Sequence, residues 1–182
     1  MTVKEIIITA CDIMQENDLA EKILKSSELT DDESALKNEL LRCLNFVQNE
    51  IATEFIPLVK VEKIKSENKE FLLSTLSEKI AYIISLKDEE GSSVKYKIAG
   101  NKLIFDGRAV ISYCYCPKKV QIDDECEIML PERVIATGVL REYYLLQGMS
   151  SEASVFEERF KNSLLNFSRK RSEKIMPKRN WK

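Results

Sequence analysis

The residues best suited to chemistry are five cysteines, a run of three acids and a densely basic C-terminus. Cys114, Cys116 and Cys126 supply enough thiolates for three ligands to a metal. Alternation along a strand puts Cys114 and Cys116 on one face, but no fourth ligand or second C-x-x-C completes a tetrahedral set. They read as buried or half-buried thiols. Cys11 and Cys43 fall inside helical patterns, where a thiol behaves as a small hydrophobe. An odd, scattered set of this kind fits a reducing, intracellular compartment. Asp123, Asp124 and Glu125 are consecutive, whereas a calcium loop needs oxygen ligands at alternating positions around a glycine turn. They read as a solvated acidic connection. Asp31 to Glu33 read as first-turn carboxylates that complement a helix dipole.

Catalytic machinery is harder still to assemble. The chain has no histidine, which removes the commonest general base and the commonest zinc ligand together. Any Ser or Cys nucleophile would need Lys, Asp or Glu as its base, and no motif nominates one. Five glycines leave little for a phosphate-cradling loop, and no G-x-x-x-x-G-K-[ST], G-x-G-x-x-G or G-x-S-x-G occurs. The expectation is a protein that is not an enzyme, with no catalytic, cofactor or metal site. Tyr82, Tyr96, Phe105, Tyr113 and Tyr115 fall on strand-like segments. Stacking platforms for single-stranded nucleic acid take that form, but the acidic body and the lack of interleaved basic residues favour cross-strand packing.

Charge is divided along the chain. The net charge is −2, yet residues 169–182 hold seven cations against Glu173 alone, a local +6 that leaves −8 for residues 1–168. Arg169, Lys170, Arg171, Lys174, Lys178 and Arg179, with Trp181 as an aromatic anchor, read as a partner-docking segment that orders on an acidic surface. The alternative is a nucleic-acid-binding module using the same tail.

The elements that must position these residues can be read from hydrophobic spacing. With 182 residues and 44% hydrophobic content, one domain with a real core is expected. There is no apolar run long enough to span a membrane, and the charged start at Lys4 and Glu5 argues against a secretion signal. Thr2 to Glu5 and Thr30 to Glu33 both read T-x-x-E, a capping box. The first helix breaks near Asn17 and resumes over Leu19 to Lys25. From Asp31 a helical period through Leu36, Leu40, Leu44, Val47, Ile51 and Phe55 ends at Pro57. Strands follow at Leu58 to Ile64, Phe71 to Leu73, Ile80 to Leu86, Val94 to Ile98, Leu103 to Phe105 and Ala109 to Tyr115. Glu90-Gly91-Ser92, Gly100-Asn101 and Asp106-Gly107 are expected as hairpin turns in one antiparallel sheet of four to six strands. Pro131 opens a helix that ends at Gly148, and Ser150 or Ser151 caps another. The fold class is α+β: helices over 2–56 and a helical hairpin over 131–168 form a bundle, with a β-rich insertion at 58–117 and a basic flexible tail at 169–182.

This layout resembles phage head–tail connector proteins, the adaptor or head-completion subunits. The resemblance lies in LLRCLNFVQNEIATEFIPL at Leu40 to Leu58, the short strands after it, and PERVIATGVLREYYLLQGMSSEASVFEERFKNSLLNF at Pro131 to Phe167. It covers most of the chain but rests on pattern and order, because the family has no specific chemical motif. It implies a virion protein made in the bacterial host cytoplasm, a subunit of a homo-oligomeric ring, twelve-fold to match the portal. Its partners would be the portal protein and a tail or stopper protein, with no membrane contact. DNA would pass through the ring without specific binding, because a channel wall without a basic lining lets DNA slide. The portal-docking element would be the basic tail, and the helices at 131–148 and 151–168 would pack within and between subunits.

Overall fold

The structure, a computed structural model, describes residues 1–172. It is α+β, with helices from both ends of the chain in one compact unit and the strands in another. The first unit comprises Met1–Gln48 and the described residues from Lys119 on; the second is Asn49–Lys118.

In the helical unit, α1 (Val3–Met14) opens on the expected capping box: the Thr2 N–H donates to Glu5 Oε2 at 2.8 Å, and the Glu5 N–H donates to Thr2 Oγ1 at 3.3 Å. The chain turns through Gln15 at φ 67° into α2 (Asn17–Lys25). Thr30 and Glu33 form the second reciprocal box at the head of α3 (Asp31–Glu50). After the β-rich segment come α4 (Glu132–Leu146) and α5 (Ser150–Ser172), and α4 packs on both α5 and α1. Gly148 at φ 73° lies just past α4. Its N–H donates to the Leu145 carbonyl and that of Met149 donates to the Tyr144 carbonyl, so two orphan carbonyls are satisfied and the hairpin turns sharply. The apolar faces merge into a core of Ile6, Ile7, Leu40, Leu44, Ile135 and Phe160, each fully buried.

Two features of this unit escape hydrophobic spacing. Asn45 on α3 clamps the returning chain: its Nδ2 donates to the Val120 carbonyl at 3.2 Å while its Oδ1 accepts from the Val120 N–H at 2.8 Å. The acidic connection also does more than sit in solvent. Asp123, Asp124 and Glu125 have exposed side chains, but their backbone holds the N-terminus, since Asp124 O accepts from the Val3 N–H and Thr2 bridges Glu125.

In the second unit α3 gives way to a π-helical turn, Ile51–Phe55, before Pro57 stops it. Thr53 Oγ1 donates to the Asn49 carbonyl at 2.8 Å, a side-chain bond that competes with the regular ladder there. The expected single sheet is instead two three-stranded antiparallel sheets. One has the order β1 (Val59–Lys65), β6 (Arg108–Tyr115), β3 (Ile80–Lys87); the other has β2 (Glu70–Leu72), β5 (Lys102–Ile104), β4 (Lys97–Ala99).

Turn chemistry explains the split. Asn68 and Lys69 both have positive φ, 52° and 67°, inside a tight turn closed by paired bonds between Glu67 and Glu70. Opposite it, Gly107 at φ 84° kinks the strand between β5 and β6, and its carbonyl accepts from the Ser66 N–H. Asp106-Gly107 is therefore a bend between sheets and not a hairpin. Gly100-Asn101 does close the β4–β5 hairpin. The Glu90-Gly91-Ser92 turn reverses the chain, but after one bridge, Lys87 to Ser93, the returning segment leaves β3. β3 pairs with β6 instead. The two sheets share a core of Ile64, Leu86, Leu103, Phe105, Ile111 and Tyr113.

Candidate functional site

Placed in the fold, four of the five thiols are enclosed. Cys11, Cys43, Cys114 and Cys126 are buried, and only Cys116, just past the end of β6, is partly exposed. Burial, reinforced by nearby carboxylates, pushes the Cys11 and Cys43 thiols up to about 12. Cys126 is raised by burial too, and its Sγ donates to Gln48 Oε1 at 3.5 Å. Cys114 Sγ donates to the Ala52 carbonyl at 3.2 Å. Thiols held protonated are poor nucleophiles and poor ligands. Among the described residues no group of three or more His, Cys, Asp or Glu side chains is placed to hold a metal ion.

The arrangement nearest in appearance to a catalytic pair lies in the β-rich unit. The buried Tyr113 hydroxyl and the Ser77 hydroxyl both donate to Glu62 Oε1, and the Ser77 N–H adds a third bond at 3.3 Å. Beside it Glu78 takes Lys60 and Lys118, each at 3.4 Å. Burial pushes Glu62 up, but the bonds from Ser77 and Tyr113 outweigh it and hold the carboxyl below its ordinary value. Burial, and then the bond to Glu62, raises Tyr113. The carboxylate therefore stays ionised and the phenol stays protonated near neutrality, so the pair has no proton to exchange. It fixes the Ser77 turn on the sheet.

A second charged group joins the helical hairpin. Arg141, 6% exposed, donates from Nη1 to Glu157 at 3.0 Å and from Nη2 to Glu142 at 2.6 Å, with its guanidinium 5.0 Å from the centre of the Phe160 ring. This ties α4 to α5 through a charge that is compensated on both sides.

What remains outward-facing suits binding. Leu145 and Leu146 at the end of α4, Met149 in the turn and Val155 on α5 are 41–52% exposed, and Leu165 and Phe167 continue along α5. The Tyr144 and Phe156 rings, stacked with centroids 5.4 Å apart, stiffen this corner. Arg169, Lys170 and Arg171 lie where the α5 backbone is still helical. Lys174, Lys178, Arg179 and Trp181 of the expected docking segment lie outside the described residues.

The strand aromatics divide. Tyr113 and Phe105 pack in the core as expected, whereas Tyr82 and Tyr96 are 41% and 38% exposed. The expectation that no basic residues interleave with them is also overturned. In the register of the first sheet, Lys63 and Lys87 flank Val110, and Lys65 lies opposite Arg108, on the same face as Tyr82. Only strand pairing reveals this, because the four cations come from three separated segments. Among the described residues no helix is long and apolar enough to cross a membrane. No family model matches the chain, and no curated protein matches it.

Proposed function

We propose that the chain is a structural protein of a phage or prophage particle, a head–tail adaptor that forms a ring under the portal, extends the DNA channel and offers a surface for tail attachment. One observation carries this reading. Helices from the two ends of the chain make one compact unit, the β-rich segment is inserted between them, and the last helix leads directly into the basic extension. That is the order on which the resemblance to head–tail connectors rests. The apolar corner of Leu145, Leu146, Met149 and Val155 supports it as a face for packing between subunits, since exposed apolar clusters rimmed by polar residues mark protein interfaces. The absence of histidine and the protonated buried thiols agree with a role without catalysis.

The test is a chain ending at Ser168, mixed with purified portal rings and followed by sedimentation. The full chain co-sediments, and the shortened chain, with unchanged circular dichroism, does not. Equal binding by both removes the tail from portal docking. Binding of the full chain to duplex DNA with a steep salt slope would instead support the nucleic-acid reading.

A further inference from the structure

The first sheet has two faces of different character. Ile64, Ala109, Ile111, Tyr113 and Leu86 point into the core. Side chains alternate along a strand, so Val59, Val61, Lys63 and Lys65 of β1 project from the other face. Register aligns them with Cys114, Ser112, Val110 and Arg108 of β6, and with Tyr82 and Lys87 of β3. Ile84, at the irregularity between Ile83 and Ser85, is exposed and is not among the side chains packed in the sheet core.

This outer face is zoned along the strands. At one end Val59, Val61, Tyr82 and Ile84 are 41–61% exposed, an apolar rim around Cys114, which is itself buried against the Ala52 carbonyl. At the other end stand Lys63, Lys65, Lys87 and Arg108, all exposed. Among the described residues Lys63, Lys65 and Lys87 have no ion-pair partner, and Arg108 meets Glu89 only at 4.0 Å with both side chains about two-thirds exposed. Such a pair contributes little and is readily exchanged for a better one.

We infer that this face of the β1–β6–β3 sheet is a docking platform for an acidic amphipathic helix of a partner protein, apolar side chains seating on the Val59–Val61–Tyr82–Ile84 end and carboxylates on the Lys63–Lys65–Lys87–Arg108 end. Charge complementarity sets the sign of the partner, because four cations, of which only Arg108 has an ion-pair partner among the described residues, repel any basic segment. Dimensions set its form. Four same-face positions along β1 span about 20 Å and three strands about 10 Å, which matches a helix about 10 Å across and about 14 residues long. Aliphatic predominance sets its class. Three of the four apolar side chains are Val or Ile, whereas a single-strand platform needs an aromatic for successive bases, and this face exposes only Tyr82. The inference is independent of the ring reading, which places portal docking on the tail.

The experiment uses the full chain and a fluorescent synthetic helix of about 14 residues, with leucines on one face of its first two turns and glutamates on the same face of its last two. Fluorescence anisotropy gives its affinity at low salt. The expected result is saturable binding that weakens at least about tenfold in K63E/K87E, in V61S/I84S, with glutamine replacing glutamate in the peptide, and in high salt. All four substitutions are on the surface, and circular dichroism verifies the fold of each variant. No binding to the folded chain, or equal binding by the variants, overturns the proposal. So does a dT oligonucleotide that binds more tightly than the peptide and is lost on Tyr82→Ala, which gives the face to nucleic acid. Oligomers that K63E/K87E dissolves, seen by light scattering, would assign it to a second copy of the chain and overturn it equally.

Discussion

A thiol reacts through its thiolate, so burial and charge decide which of the five cysteines is chemically visible. Cys11 and Cys43, pushed up to about 12, carry almost no thiolate at pH 8. Cys126 is raised as well, and Cys114 is enclosed against the Ala52 carbonyl. Cys116 alone has surface. Iodoacetamide at pH 8 is expected to label one thiol per native chain, at Cys116, and all five after denaturation; mass spectrometry showing a second rapidly modified site would refute this burial. At this scale sequence is informative about what is missing, because the absence of histidine needs no fold to interpret. It is uninformative about partners. Tyr113 and Glu62 are separated by 51 positions and become a bonded pair only through the β1–β6 register. The cations around Tyr82 are assembled in the same way, so reading each segment alone hides them.

Helices are the most legible elements here, because their signals are local. Both capping boxes, the break before α2 and the Gly148 turn follow from side chains within four residues of the position they control. Strands are legible as segments but not as sheets. The division into two sheets depends on Asn68-Lys69 adopting positive φ without a glycine, and on Gly107 facing that turn as a kink. A side chain that the sequence lacks is just as decisive inside the helical unit. A Cβ on Gly138 in α4 would sit 2.8 Å from Phe160 Cε2 and 2.9 Å from Val47 Cγ1, so the glycine lets α4 approach both α5 and α3. Gly138→Ala gains about 1 kcal/mol in helix propensity but overpacks at a cost of about 1–3 kcal/mol. The expected net is a loss of up to about 2 kcal/mol, measured by urea denaturation. Val47→Ala in the same chain should recover part of it, because the two sites share a contact. A stabilising Gly138→Ala would mean that Phe160 and Val47 stand farther from Gly138 than this.

For the molecule as a whole, titration links both units to one stability profile. Glu5 is lowered by the Thr2 backbone bond, and Glu33 by Lys22 and then Thr30. Glu62 and Glu157 are pushed up by burial, but the bonds from Ser77 and Tyr113, and from Lys161 and Arg141, outweigh it and leave both below 4.5. A carboxylate whose folded value lies below its unfolded value stabilises the fold above the unfolded value. That contribution is lost as pH falls through the folded one. The thiols run the other way. Cys11 and Cys43 rise from 9.0 to about 12 on folding, so unfolding is favoured once pH exceeds 9.0 and the unfolded thiols ionise. Each then removes about 1.4 kcal/mol per pH unit until its folded form also ionises. Between these limits a chain without histidine has no side chain whose ordinary value lies there. The thermal midpoint is therefore expected to form a plateau from about pH 5.5 to about pH 8, to fall below 4.5 and to fall again above 9.0. Cys11→Ala/Cys43→Ala should flatten the alkaline limb while leaving the acid limb in place. A step near pH 6.5, or an alkaline limb unchanged by those substitutions, would show that other groups control the profile.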